Sequence, residues 1–280
     1  MSVDLHDTRE LAAHASPMAG ILPYLLCSAL YAAVAGLLAR AMSRPNHHAA
    51  LGPRALHLAI ALPFAVHTVL LYRSVFSGGQ MFLGAGNVVS MVIWLTVLIY
   101  WSAGFIQRLE GVQVMIAGAA AVLLLTPLML PPVAPVAHAD APAFRAHLLI
   151  ALLAYSLFFI AFLQAVMMAV LESRLHGARL PAYLQSLPPL LTIERLLFRI
   201  ITLGFILLTL TLGSGMLFSE ELVGQPLKLN QKVAFGILSW CIYAGLLAGR
   251  RVYGWRGRAA VRWTLAGFAA LVLVAAVTSL

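Results

Sequence analysis

The chain has 280 residues, 62% of them hydrophobic and only 10% charged, with a mean hydropathy of +0.95. A water-soluble domain of this length needs far more polar surface, and a membrane β-barrel needs short alternating segments that are absent here. The formal charge of +9 is therefore first a question of membrane topology and only then one of nucleic acid.

Apolar runs near or above 18 residues recur along the chain, each long enough to cross a hydrocarbon core of about 30 Å. They predict an all-α polytopic membrane bundle of about eight transmembrane helices, at about 18–41, 54–73, 84–106, 112–133, 146–171, 196–218, 231–249 and 261–279. Turn chemistry separates them: "SRPNHH", "SGGQ", "LPPVAP", "LPPLLTIE" and "YGWRGR". Residues 1–17 read as an outer N-terminal segment and 18–280 as a single transmembrane domain. "MSVDLHDTRELAAHASP" is acidic and lacks the basic start of a secretory signal, so the first apolar run is read as a retained helix.

The cations give an orientation. Arg40, Arg44 and Arg54 flank the first connection and Arg108 the third. Arg174, Arg179, Arg195 and Arg199 flank the fifth, and Arg250, Arg251, Arg256, Arg258 and Arg262 the seventh. Only Arg9, Arg73, Arg145, Lys228 and Lys232 lie elsewhere. By the positive-inside rule both termini are outside, and the lipid bilayer rather than nucleic acid accounts for the charge. Trp101, Trp255 and Trp263 then fall at the cytoplasmic interface, as an aromatic belt does. Cys27 and Cys241 have no C-x-x-C partner and read as small packing residues.

All nine acidic residues fall in loops or at helix ends. Ion-coupled transporters usually place a carboxylate at membrane depth, so solute transport is the weaker reading. Hydrolytic and nucleotide motifs (H-E-x-x-H, G-x-S-x-G, a Walker loop) are absent.

Histidines remain. His6, His14, His47, His48, His138 and His176 lie in connecting segments and read as solvated. His57 lies beside Arg54 at the inner end of the second helix, where its ring can snorkel. His67 lies roughly 7–8 Å below the outer end of that helix, and His147 opens the fifth helix on the same side. If those two helices pack together, the imidazoles share a depth near the outer leaflet and suit haem iron as axial ligands. Arg73 and Arg145 are placed to pair with the haem propionates. The competing reading has both histidines bonded within a helix bundle and both arginines marking the interface. Asn87 and Gln164 read as interhelical hydrogen-bonding residues, and "AGAAA" (117–121) and "GSG" (213–215) as close-packing surfaces. "ELVGQPLKL" reads as a short amphipathic lid on the membrane surface.

"HLLIALLAY", with His147 eight residues before Tyr155, resembles the H-x7-Y segment of the cytochrome c assembly family of membrane proteins. So does "IERLLFRIITLGFILLTLTLGSG" (193–215), in which Arg199, Gly204, Phe205, Leu208, Thr209 and Gly215 match the spaced family pattern. The likeness runs over roughly residues 65 to 280, through "FGILSWCIYAGLL" to "GWRGRAA". It implies haem handling at the outer face of an inner membrane, with His147 as the outer haem ligand and His67 in the place of an early membrane histidine. The family's Trp-rich loop is replaced here by "SEELVGQPLKLNQKV" (219–233), without Trp or Asp, and no histidine follows His176. Ala248 stands where the family has a late membrane histidine. The resemblance thus implies the fold and haem handling without the platform for haem ligation to apocytochrome. Its alternative is a haem-free accessory or scaffold subunit, with a membrane or periplasmic protein as partner, in a complex such as an ion transport system.

Overall fold

The computed structural model describes residues 17–43, 53–77, 79–105, 110–130, 135–136, 139–175, 189–223 and 231–277. The outer-loop stretch 224–230, and with it most of the expected lid, lies outside the described residues, as do His6, His14, His47, His48, His138 and His176.

The chain forms the all-α bundle that its hydropathy predicts. The helices are α1 Pro17–Ser43, α2 Pro53–Ala59, α3 Ala61–Val75, α4 Ala85–Ala103, α5 Glu110–Leu123, α6 Thr126–Met129, α7 Pro142–Leu175, α8 Leu190–Val223, α9 Gln231–Val252 and α10 Arg258–Val277. Seven spans among the described residues are long and apolar enough to cross a membrane. The eighth expected helix is present as α10.

Two expected spans are interrupted, each by proline. Pro63 lacks an N–H and its ring crowds the carbonyl of Ala59, where α2 stops. Pro127 does the same to Leu123, the last residue of α5, and starts the short α6. Gly86 fits against this second break, since a Cβ there would lie 2.8 Å from the Cα of Pro127. Conversely, α7 and α8 run well past the predicted 146–171 and 196–218, each to 34 residues. That is about 51 Å, more than a bilayer core requires. Hydropathy marks only the lipid-embedded part of such a helix, and polar turns extend it at both ends.

"SGGQ" closes a small antiparallel hairpin, β1 Phe76–Ser77 with β2 Gln80–Met81, pairing Phe76 with Met81 and Ser77 with Gln80. Gly79 has φ +76°, a conformation that glycine takes without steric cost. Asn87 anchors this turn to α4, its Nδ2 donating to the carbonyls of Ser74 (3.1 Å) and Phe82 (2.9 Å).

α7 is the central helix: 56% of its most apolar window is buried, against 22–39% for the other six spans. It packs on α4, α5, α8 and α10, whereas α3 packs mainly on α1 and α4, and α1 mainly on α5 and α3. The core about α7 is aromatic, with Phe158 stacked on Tyr243 (centroids 4.0 Å apart) and Phe162 on Phe268 (4.6 Å).

Candidate functional site

α7 begins just after Asp140, and its first turns carry Arg145 and His147. Arg145 is exposed and turned back on the preceding chain, donating to Asp140 Oδ1 (2.7 Å) and to the carbonyl of Ala139 (2.9 Å). His147 points across the α7–α8 seam, where its Nδ1 lies 2.8 Å from Ser214 Oγ. That hydroxyl has one proton and donates it to the carbonyl of Thr211 (3.2 Å). With the serine proton on Thr211, the matching tautomer has Nδ1 as the donor and the lone pair of the neutral ring on Nε2. The flanking glycines of "GSG" are not required by this contact: a Cβ on Gly215 would lie at an ordinary 3.5 Å from His147 Cε1, and one on Gly213 would meet nothing within 4 Å. Ser214 is a hydrogen-bond partner of His147 that spacing did not reveal.

His67 sits differently. It is 1% exposed, with Nε2 3.0 Å from Ser90 Oγ and Nδ1 3.4 Å from Tyr31 OH. Both ring nitrogens therefore have hydroxyl partners on α4 and α1. The packing of the helices expected to bring the histidines together follows suit, because α4 stands between α3 and α7. Arg73 is exposed in the last turn of α3, at the same end of the bundle as His147 by the alternation of the spans. It makes no ion pair among the described residues.

His57 does not snorkel. Its Nδ1 is 3.3 Å from Gln113 Nε2, its ring meets Phe105 edge-on at 4.5 Å, and its Nε2 is buried without a partner. No cluster of three or more His, Cys, Asp or Glu side chains suited to a metal ion occurs among the described residues.

The opposite end of α7–α8 is held by charge. Glu194, expected before the sixth helix, lies inside α8 and is only 4% exposed. It receives Arg250 at 2.7 Å, Arg256 at 3.1 Å and the Gly257 amide at 3.4 Å. Arg250 also donates to the Trp255 carbonyl (3.1 Å) and lies 4.5 Å from the Phe198 ring centre. The basic "GWRGR" turn is shaped for this contact. Gly254 and Gly257 adopt φ +65° and +51°, and the Trp255 ring rests where a Cβ on Gly249 would stand. Arginines read as an orientation signal are thus also structural partners of a buried carboxylate.

Positions that carry the resemblance mostly pack α8. A Cβ at Gly204 would lie 3.2 Å from the Phe158 ring, Phe205 meets Trp240 at 5.3 Å, and Trp240 Nε1 donates to Thr209 Oγ1 at 2.9 Å. An all-helical membrane bundle with a histidine at the α7–α8 seam is the class that fold and geometry define. The chain belongs to the family described as cytochrome C assembly protein, whose model matches residues 55–280.

Among curated relatives it is similar to inner membrane protein YpjD of Escherichia coli (strain K12), 35% identical over 139 residues, 49% of this chain and 52% of that protein. It is also similar to cytochrome c biogenesis protein CcsA of Thermosynechococcus vestitus, 34% identical over 85 residues, covering 30% of this chain and 27% of that protein. The CcsA of Prochlorococcus marinus (strain NATL1A) is 32% identical over 81 residues, covering 29% and 26%. The chain spans about half the length of the YpjD relative and about a quarter of the CcsA relatives. Family, relatives and apolar spans together make this a multi-pass protein of the bacterial inner membrane.

Proposed function

We propose that this protein handles haem in cytochrome c biogenesis, at the end of the bundle that carries His147, with that end and both termini on the outer side of the membrane. Family membership supports the class of activity, and the distribution of arginines supports the orientation. The observation that carries the residue assignment is the His147–Ser214 hydrogen bond. It orients the ring and fixes its tautomer, as the outer partners of metal-bound histidines do, so that Nε2 is the ligating atom. Haem, when bound, would supply a redox-active iron for an imidazole ligand and carboxylates for cations. His147 would hold the iron, Arg145 would release Asp140 to pair with a carboxylate, and exposed Arg73 would pair with another. His67 would have to release Ser90 or Tyr31 to act as a ligand, so His147 is the principal candidate.

The test is a reduced-minus-oxidised absorption spectrum of the purified protein, with and without added haem. The expected result is a Soret band and an α-band that His147→Ala abolishes. Unchanged bands in that variant would remove His147 from the site.

A second reading is a haem-free scaffold subunit, favoured by the outer stretch 219–233, which has no tryptophan to stack against a haem. It expects a stoichiometric protein partner on cross-linking in native membranes, an association insensitive to His147→Ala, and no Soret band in either protein.

A further inference from the structure

At the end of the bundle away from His147, α4, α5, α7 and α8 enclose a half-open cavity of about 230 Å³. Gln164 lines it from α7. This side chain is fully buried, and neither its amide nitrogen nor its amide oxygen has a partner. Gln164 was expected to bond between helices, as Asn87 does; instead it faces the cavity. Arg195 and Arg199, one turn apart on α8, line the same space. The His147–Ser214 contact sets the antiparallel register of α7 and α8, and by it Gln164 falls level with that turn.

Both arginines are exposed, and neither forms an ion pair among the described residues. Arg195 donates only weakly to its own helix, 3.4 Å to the carbonyl of Leu191. The neighbouring Glu194 does not neutralise them, because it bonds to Arg250 and Arg256 on the other side of α8. Met167 and Ile193 complete an apolar wall. Two cations at the mouth without an ion pair among the described residues, a buried amide needing both a donor and an acceptor, and apolar walls define a complementary shape. It is an anion joined to a carbonyl or hydroxyl group and carrying an apolar part.

We propose that this cavity is a binding site for a phosphate ester, held by Arg195 and Arg199 at the phosphate and by Gln164 at the neighbouring ester or hydroxyl oxygens. The source that fits its place is the headgroup of an anionic phospholipid from the leaflet at this end, since planar guanidinium groups bind phosphate oxygens in pairs. A water-soluble phosphate ester shares the same chemistry. The cavity lies apart from His147, and its occupancy does not depend on the haem reading.

The test is native mass spectrometry of the full-length protein, reconstituted in vesicles of equal parts phosphatidylglycerol and phosphatidylcholine and then extracted in detergent. The expected result is one retained phosphatidylglycerol per chain in preference to phosphatidylcholine. In the Arg195→Gln/Arg199→Gln double variant it falls by about 30-fold, the loss expected for two interfacial cations. Gln164→Leu weakens retention while keeping the side-chain bulk, and Arg251→Gln, an equal charge change on exposed α9 surface, leaves it unchanged. Displacement of the lipid by sn-glycerol 3-phosphate, lost in the same double variant, would assign the site to a soluble phosphate ester. Equal retention of both lipids by wild type and double variant, with no binding of sn-glycerol 3-phosphate, would overturn the proposal and leave a water-filled cavity.

Discussion

At one end of the α7–α8 pair His147 meets Ser214 through one neutral hydrogen bond of 2.8 Å, beside a glycine whose Cβ position is open. At the other end Glu194 is gripped by two arginines and a backbone amide, under a turn whose Trp255 packs at 5.0 Å and a 38° tilt on Trp263 of α10. The first arrangement is a single contact between two uncharged groups. The second closes the bundle and leaves its carboxylate no freedom. The same contrast separates the two histidines: His67 is enclosed with both nitrogens bonded, while His147 is half-buried at a seam. Substitutions at the His147 end are therefore expected to change haem binding, and those at the Glu194 cluster to change stability.

The sharpest way to break this comparison is Glu194→Ala. Removing the buried carboxylate is expected to cost about 2–3 kcal/mol, because it takes charge-assisted hydrogen bonds from half-buried Arg250 and from the Gly257 amide, while the largely exposed Arg256 is re-solvated. A denaturant titration in mixed micelles reads it directly, and a midpoint equal to wild type would show that the ion pairs do not hold the bundle. His67→Leu comes next, at about 1–3 kcal/mol, since it strips the hydroxyls of Tyr31 and Ser90 of their buried partner. The same variant is expected to retain its haem spectrum. A His67→Leu protein of normal stability without haem bands would reverse the roles assigned to the two histidines. The smallest effect on the fold is expected from Ser214→Ala, which removes one partly buried hydrogen bond of about 1 kcal/mol. Its effect on function is larger, a weakening of haem retention by about tenfold, as for other outer partners of metal-bound histidines. Retention equal to wild type would show that Ser214 does not orient His147.

Much of the site was legible one residue at a time. His147 stands out because an imidazole opens an apolar helix, and its helix runs as a span. Ser214 was hidden because a serine between two glycines looks like any close-packing surface, and only the α7–α8 register places it against the ring. Gln164 was misjudged for the reverse reason: an amide in an apolar helix normally finds a partner, and nothing local shows that its neighbours supply none. Glu194 reads as a carboxylate in a loop or at a helix end, and it does lie in the first turns of α8; what the sequence does not show is its burial between Arg250 and Arg256.

What the sequence by itself determined is the class of protein and its linear plan: long apolar runs require helices in lipid, because no other open backbone satisfies its own hydrogen bonds there. The breaks at Pro63 and Pro127 belong to that plan as well, since a missing N–H acts within its own turn. The tertiary structure alone decided which helices adjoin. It put α4 between the two histidines, Ser214 against His147, two arginines on Glu194 and, among the described residues, no carboxylate on Arg195 or Arg199. Inside a bilayer an apolar face gains nothing by choosing one apolar neighbour over another, so adjacency follows from shape, small residues and hydrogen bonds across helices. Those are properties of pairs of surfaces, which no single stretch of sequence displays.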